Sequence, residues 1–206
     1  MKLDVFDKWR ETYSKLTYSQ QQDYARWLYE NYPDQSYFGC AFKECVIGLC
    51  EKEKLLKVME FGGWDGELAS VVLKDDTQIE LWDNFEICPT VPSVCKDVRY
   101  RHCEANDFVW NLGQSLDYDL FVSSHALEHL STDDLRLLLN KVRHIPYLAF
   151  QLPFSESGSW AGTTCFHILE LSPAEFIKTI SSFGYTLEHT GISSEEQRFF
   201  FRRVSV

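Results

Sequence analysis

From Leu55 to the C-terminus, short apolar runs alternate with amphipathic stretches, and this alternation constrains the fold more than any other feature of the chain. Leu55–Phe61, Gln78–Trp82, Val98–Cys103, Asp119–Ser123 and Tyr147–Leu152 have the length of strands, with helical segments among the stretches that separate them. The pattern predicts βαβ units and a largely parallel sheet. Two helices carry their own end signals. Asp133 and Asp134 open one whose Leu135, Leu138, Leu139 and Val142 form an apolar stripe, and Lys141, Arg143, His144 and Pro146 close it. Ser172-Pro-Ala-Glu175 reads as a capping box with proline at the first helical position, and Gly184 ends that helix. The last two runs, Tyr185–His189 and Gln197–Val204, are joined by a loop too short for a crossover helix, so they should pair antiparallel.

The first fifty residues read differently. Val5, Trp9 and Tyr13 share one helical face, and Phe38, Ala41, Phe42, Cys45, Val46 and Leu49 follow a second, with Pro33 between the pieces. Residues 1–54 are therefore expected to form an N-terminal helical extension or lid ahead of a domain at 55–206. At 206 residues and 45% hydrophobic, one domain with a three-layer core suffices. Seven cysteines include no C-x-x-C pair, so neither a disulfide framework nor a zinc knuckle is expected, and Cys40, Cys45 and Cys50 read as buried or half-buried thiols. There is no bilayer-length apolar run and no signal-peptide pattern at Met1–Arg10, so the expected location is cytoplasmic, without a membrane partner. A formal charge of −11 disfavours a nucleic-acid partner and favours a small molecule.

Within the first strand-length run the chain reads Lys57-Val-Met-Glu-Phe-Gly-Gly-Trp-Asp-Gly66. An apolar run ends in an acid and then in three glycines before a helical segment, which is how a nucleotide-type cofactor site is built. Gly62 and Gly63 permit a sharp turn, Gly66 lets the next helix sit close to the sheet, and free N–H groups of the turn would face a ligand. A dinucleotide fingerprint begun at Gly62 would demand glycines where Trp64 and Glu67 stand, so the spacing argues against nicotinamide cofactors. Three later segments add weight: Leu81-Trp-Asp83, Ala105-Asn-Asp-Phe108, and Asp119-Leu-Phe-Val-Ser-Ser-His-Ala-Leu-Glu-His-Leu130.

On these motifs the chain, over roughly residues 55–206, resembles the class I S-adenosylmethionine-dependent methyltransferases, in particular the small-molecule branch with a Leu-Glu-His signature after the fourth strand. The resemblance implies an α/β, Rossmann-like, seven-stranded, mostly parallel sheet with an antiparallel last strand, preceded in this chain by N-terminal helices. It implies S-adenosylmethionine as cofactor and S-adenosylhomocysteine as product. Glu60 and the turn Gly62-Gly63-Trp64-Asp65-Gly66 would lie near the methionine end of the cofactor, Asp83 at the end of the second strand would hold the ribose diol, and Asp107 would accept from the adenine amino group. Phe108 would stack on the adenine or offer its N–H, and Ser123 would contribute a backbone carbonyl near the cofactor's amino group. Trp64 departs from the family's glycine. It is expected to keep an ordinary backbone and to pack its ring on the N-terminal helices.

Methyl transfer from a sulfonium is an in-line displacement, in which holding the reactants oriented and dry supplies most of the rate. A hydroxyl or ammonium acceptor also needs a base, for which imidazole is suited near neutral pH. His125, directly after the fourth strand, is the first candidate and His167 the second; Glu128 and His129 are read as a brace for the loop. The acceptor would lie between the N-terminal helices and the Ser155-Glu-Ser-Gly-Ser-Trp-Ala-Gly162 loop, with Trp160 as a wall. The aromatic N-terminal residues, Tyr13 to Tyr37, read as core or interface, which would allow a homodimer. A metal-free methyl transfer to a small molecule, with a sugar-type hydroxyl preferred, is the expected activity; a non-catalytic binding or interaction protein of the same fold is the alternative.

Overall fold

The computed structural model of the protein describes residues 17, 19, 20, 22, 23, 26, 40–75, 78–87, 91–104, 117–153, 167–192 and 196–204. Among the described residues, the helices that flank the sheet are α1 (Cys40–Glu53), α2 (Glu67–Asp75), α3 (Thr132–Val142) and α4 (Pro173–Ser181). The strands are β1 (Lys57–Phe61), β2 (Leu81–Glu86), β3 (Tyr100–Glu104), β4 (Leu120–Ser124), β5 (Tyr147–Pro153), β6 (Tyr185–Ile192) and β7 (Glu196–Arg203). They form one seven-stranded sheet in the order β3-β2-β1-β4-β5-β7-β6. Neighbours from β3 to β5 run parallel, and β7 is antiparallel to both β5 and β6. The sheet is thus the mostly parallel one expected, closed by the antiparallel hairpin.

Side chains alternate across the strands, and each face buries a separate cluster. Met59, Phe61, Phe121, Leu148 and Phe150 meet Leu135, Leu138, Leu139 and Val142 of α3 and Phe176 and Ile180 of α4. On the other face Val58, Trp82, Leu120, Val122 and Ala149 meet Phe42, Val46 and Cys50 of α1 and Leu68, Ala69 and Val72 of α2. Helix α1 therefore belongs to the core layer of the sheet, although it falls within the N-terminal stretch set apart on sequence. Its Cys50 is buried and Cys45 half-buried. Most of residues 1–39, including the aromatic positions from Tyr13 to Tyr37, lies outside the described residues.

The helix signals hold to within a turn. Ser131 caps α3 by accepting from the Asp134 N–H at 3.1 Å, so the helix begins just ahead of the two aspartates that mark it in sequence. The capping box of α4 is present in both directions, and Gly184 follows with φ +90°. The larger difference is β2, which starts at Leu81 and runs to Glu86, through an Asp83-Asn84 pair that has the chemistry of a turn. Aspartate and asparagine disfavour strands because their side chains compete for backbone groups. In β2 all three polar side chains are buried and bonded to other elements, so tertiary hydrogen bonds override the local preference.

Candidate cofactor site and a histidine cluster at the sheet edge

The glycine turn leaves the C-terminal end of β1, where parallel α/β sheets bind ligands. Gly62 has φ +71°, and a Cβ there would collide with the methyl group of Ala126 after β4. Gly66 has φ +82° and lies against the Tyr100 hydroxyl of β3, so a side chain there would push α2 off the sheet. Both glycines are thus demanded by close packing, as their spacing suggests. The N–H groups of the turn behave otherwise. Gly62 N–H donates to Phe85 O (2.9 Å), Gly63 N–H to Asn84 Oδ1 (2.9 Å) and Trp64 N–H to Glu86 Oε2 (2.8 Å). Gly66 N–H donates back to Gly63 O at 2.9 Å. These donors are consumed by protein acceptors, most of them at the end of β2, so the turn offers no cradle of free N–H groups to a pyrophosphate.

Trp64 also departs from expectation. Its φ is +50°, a left-handed conformation that stores about 1–3 kcal/mol in a bulky residue. Two contacts hold it: Glu86 takes its N–H, and Asn84 Nδ2 donates to its carbonyl at 3.2 Å while also reaching the Tyr100 hydroxyl at 3.1 Å. The indole packs with Val91 and Ile87, in the segment after β2; the N-terminal residues on which it is expected to pack lie mostly outside the described residues.

Asp83 lies below this level. Its register partner on β1 is Met59, two residues before the strand ends, whereas Phe61 is level with Phe85 and the turn begins beside Glu86. The Asp83 carboxylate is 1% exposed and accepts from Arg101 Nε at 2.5 Å, from the second Arg101 nitrogen Nη2 and from the Tyr118 hydroxyl. It does not stand at the end of the second strand, and its oxygens are committed to β3 and to the segment entering β4. Glu86 is the acid at that end. Sequence reading missed it, although Phe85-Glu86 repeats the apolar-acid pattern of Trp82-Asp83 three residues later; strand length alone decides between them.

Glu60, inside β1, is 1% exposed; its Oε2 accepts from Trp82 Nε1 at 2.8 Å, and its Oε1 has no hydrogen-bond partner. Burial pushes this carboxyl up to about 8 against the pull of the indole N–H, and the nearby Glu86 and Asp65 add to the rise. Ser123 is buried near the end of β4, and its hydroxyl donates to Phe61 O at 2.9 Å, tying the ends of β1 and β4 together. Asp107, Phe108 and the loop from Ser155 to Gly162 with Trp160 lie outside the described residues.

The same edge gathers the histidines. His125, at φ +51°, follows β4, and its N–H donates to Gln151 O on β5 at 2.9 Å. A 3-10 turn, Leu127–His129, comes next. The N–H groups of Ile168 and Leu169 donate to Glu128 O at 2.9 and 3.2 Å, which brings His167 from the segment after β5 onto that turn. The Glu128 side chain is 1% exposed, and its Oε1 lies 3.8 Å from His125 Nδ1, 3.9 Å from His129 Nε2 and 3.8 Å from His167 Nε2. Its Oε2 is buried without a partner. Burial pushes Glu128 up to about 8, and burial with the proximity of His129 and His125 drops His167 to about 3. Burial also lowers His125, against the attraction of Glu196, whose Oε1 lies 3.4 Å from His125 Nε2. The two candidate bases thus stand in one cluster. Glu128, read on sequence as a brace, is its centre.

No protein-family model matches the chain, and no curated protein sequence matches it. Solved structures do. A 1,6-didemethyltoxoflavin N1-methyltransferase of Burkholderia thailandensis, with that compound and S-adenosylhomocysteine bound, superposes with a TM-score of 0.69 at 12% identity over 90% of this chain and 88% of its own. The magnesium protoporphyrin IX methyltransferase of Synechocystis PCC 6803, with S-adenosylhomocysteine bound, gives 0.62 at 14% identity over 97% and 99%. The methyltransferase domain of a bacterial Hen1 gives 0.62 at 16% identity over 79% and 97%. At these identities the likeness is one of architecture, and the architecture agrees with the strand order and the antiparallel seventh strand: the fold of this chain is that of the class I S-adenosylmethionine-dependent methyltransferases.

Proposed function

We propose that the protein is an S-adenosylmethionine-dependent methyltransferase acting on a small-molecule acceptor, with a hydroxyl preferred over other acceptor groups. The observation that carries this reading is the way β2 closes the glycine turn. A turn whose N–H groups are already satisfied has little to give a pyrophosphate, yet it holds a carboxylate, Glu86, at the end of β2 beside the bend. A carboxylate has about four lone-pair sites, so Glu86, whose Oε2 accepts from the Trp64 N–H, keeps acceptor capacity for vicinal ribose hydroxyls. Glu86 takes that role in place of Asp83. Glu60, with its unpartnered buried oxygen, lies under the turn toward the methionine end, and Ser123 offers its carbonyl from β4. Asp107 and Phe108 remain the proposed adenine contacts.

His125 and His167 are the candidate bases, on opposite sides of Glu128 in sequence and within reach of the same carboxylate. The formal charge of −11 supports a small acceptor over a nucleic acid.

Thermal unfolding in the presence of S-adenosylmethionine, S-adenosylhomocysteine or NAD tests the cofactor class. A ligand at about a hundred times its dissociation constant stabilises the native state by about 2.7 kcal/mol, which is several degrees for a chain of this size. A shift with the two sulfur compounds and none with NAD is expected. No shift with either sulfur compound would sink the reading.

A further inference from the structure

We propose that Glu128, His129 and His167 form a site for one divalent transition-metal ion of the zinc or cobalt class, with His125 beside it as a fourth nitrogen donor. One ligand atom from each of the three residues falls within 4.8 Å of the other two. The distances from Glu128 Oε1 to the three imidazoles, 3.8 to 3.9 Å, are too long for hydrogen bonds. They suit sharing of a cation. Two ligand atoms each about 2.1 Å from an ion and about 110–130° apart stand about 3.4–3.8 Å from one another, so a small inward movement closes the set.

A second, independent observation points to the same place. Glu128 is 1% exposed, and its Oε2 has no hydrogen-bond partner. A buried carboxylate is costly unless it is paired or holds a metal, and none of the lysines or arginines among the described residues forms a salt bridge with it. The outer groups are also in place. His125 presents Nδ1 toward Glu128 while Nε2 lies 3.4 Å from Glu196 Oε1. Glu196 is itself fixed by Gln151 Nε2 at 3.2 Å and by Arg198 Nη2 at 2.8 Å. A carboxylate behind an imidazole is the usual support that fixes a ligating histidine's tautomer and orientation.

The donor set selects the ion. Magnesium and calcium take oxygen ligands, whereas two or three imidazoles with one carboxylate suit zinc, cobalt and their first-row neighbours. Three protein ligands leave the fourth tetrahedral position to one exogenous oxygen, and with a fourth donor that oxygen enters only by five-coordination. Ala126, between His125 and the 3-10 turn, is the residue whose methyl group touches the glycine turn, so the site borders the proposed cofactor site. If methyl transfer is the activity, that oxygen is the acceptor hydroxyl; the ion would raise its acidity, and this replaces the base role proposed above for whichever histidines ligate the ion. This role rests on the methyltransferase reading; the binding of the ion does not.

The test is a titration of the chelator-treated, untagged chain with Co2+, read by its visible d–d absorption and by equilibrium dialysis, with no cofactor present. One Co2+ per chain is expected, with binding at least about a hundredfold weaker in His129→Ala and in His167→Ala. His129 is the more exposed ligand, so its variant is expected to keep the wild-type melting temperature, which separates loss of the site from loss of the fold. Absence of saturable binding by the wild type, or wild-type affinity in both variants, overturns the site. Displacement of Co2+ by a moderate excess of Mg2+ overturns the choice of ion. Because the titration contains no S-adenosylmethionine, Co2+ binding without a sulfur-cofactor shift would leave this site standing and sink the methyltransferase reading, while the reverse pair of results would do the opposite.

Discussion

Two acids three residues apart on one strand have different fates, and the difference is set by where the strand ends. Asp83 is level with Met59 and tied to Arg101 and Tyr118, which is why the proposed ribose role goes to Glu86. Asp83→Ala would leave the buried Tyr118 hydroxyl without its acceptor, and unfolding should show a loss of about 1–3 kcal/mol with the shift caused by S-adenosylmethionine retained. Glu86→Gln keeps an acceptor for Trp64 N–H but removes the charge, so it should preserve the melting temperature and weaken the cofactor about tenfold. The reverse pattern in a ligand titration of the two variants would return the ribose role to Asp83. Glu60 yields a separate prediction. Its folded-state pKa, about 8, lies above the ordinary value of 4.5, so the native state holds the proton more tightly than the unfolded chain does. The associated stability is fully present below about pH 4.5 and is lost as pH rises toward 8. Glu60→Gln should flatten that part of the stability profile, by up to about 1.4 kcal/mol per pH unit relative to wild type. Denaturant midpoints at several pH values would show it, and parallel profiles would place the proton elsewhere.

Among the elements, those with strong periodic or capping signals are the ones that sequence locates. Leu135, Leu138, Leu139 and Val142 recur at helical spacing and all four are buried, and Ser172-Pro-Ala-Glu175 carries its capping box in its own side chains. Such signals are local, so the surrounding fold has little to override. Strand β2 is the opposite case. Its Asp83-Asn84 pair has turn chemistry, and only partners distant in sequence, Arg101, Tyr118, Gly63 and Tyr100, make that pair comfortable in a strand. The true end of the strand lies three residues beyond Asp83, and that displacement is why sequence points to Asp83 where the proposed ribose contact is Glu86. The backbone of Trp64 is hidden from sequence for the same reason. Its left-handed conformation is held by Asn84 and Glu86, two side chains that matter to the turn only after β2 has been extended to reach it. The histidine cluster is legible residue by residue, because His125, Glu128, His129 and His167 all stand out in the chain. Their convergence on one carboxylate requires the hydrogen bonds from Ile168 and Leu169 to Glu128, which no spacing rule anticipates.

At the scale of the whole molecule, fold and charge bear differently on the choice of substrate. The architecture is shared with small-molecule methyltransferases and with the methyltransferase domain of a bacterial Hen1, so strand order by itself does not choose between a small acceptor and RNA. Charge does. Binding to a phosphate backbone is driven by release of counterions as lysines and arginines neutralise phosphates, and this chain carries 31 acidic against 20 basic side chains. Several of the basic ones are already committed: Lys43 to Asp75, Arg99 to Asp97, Arg101 to Asp83 and Arg198 to Glu196. A phosphate backbone would meet an overall repulsive field. Fluorescence anisotropy with a short labelled single-stranded RNA should therefore show no saturable binding at about 0.15 M salt, where exposed charges are screened beyond about 8 Å. Weak association appearing only at low salt would fit non-specific contact with scattered lysines. Tight binding that survived at physiological salt would replace the small-molecule reading with a nucleic-acid one.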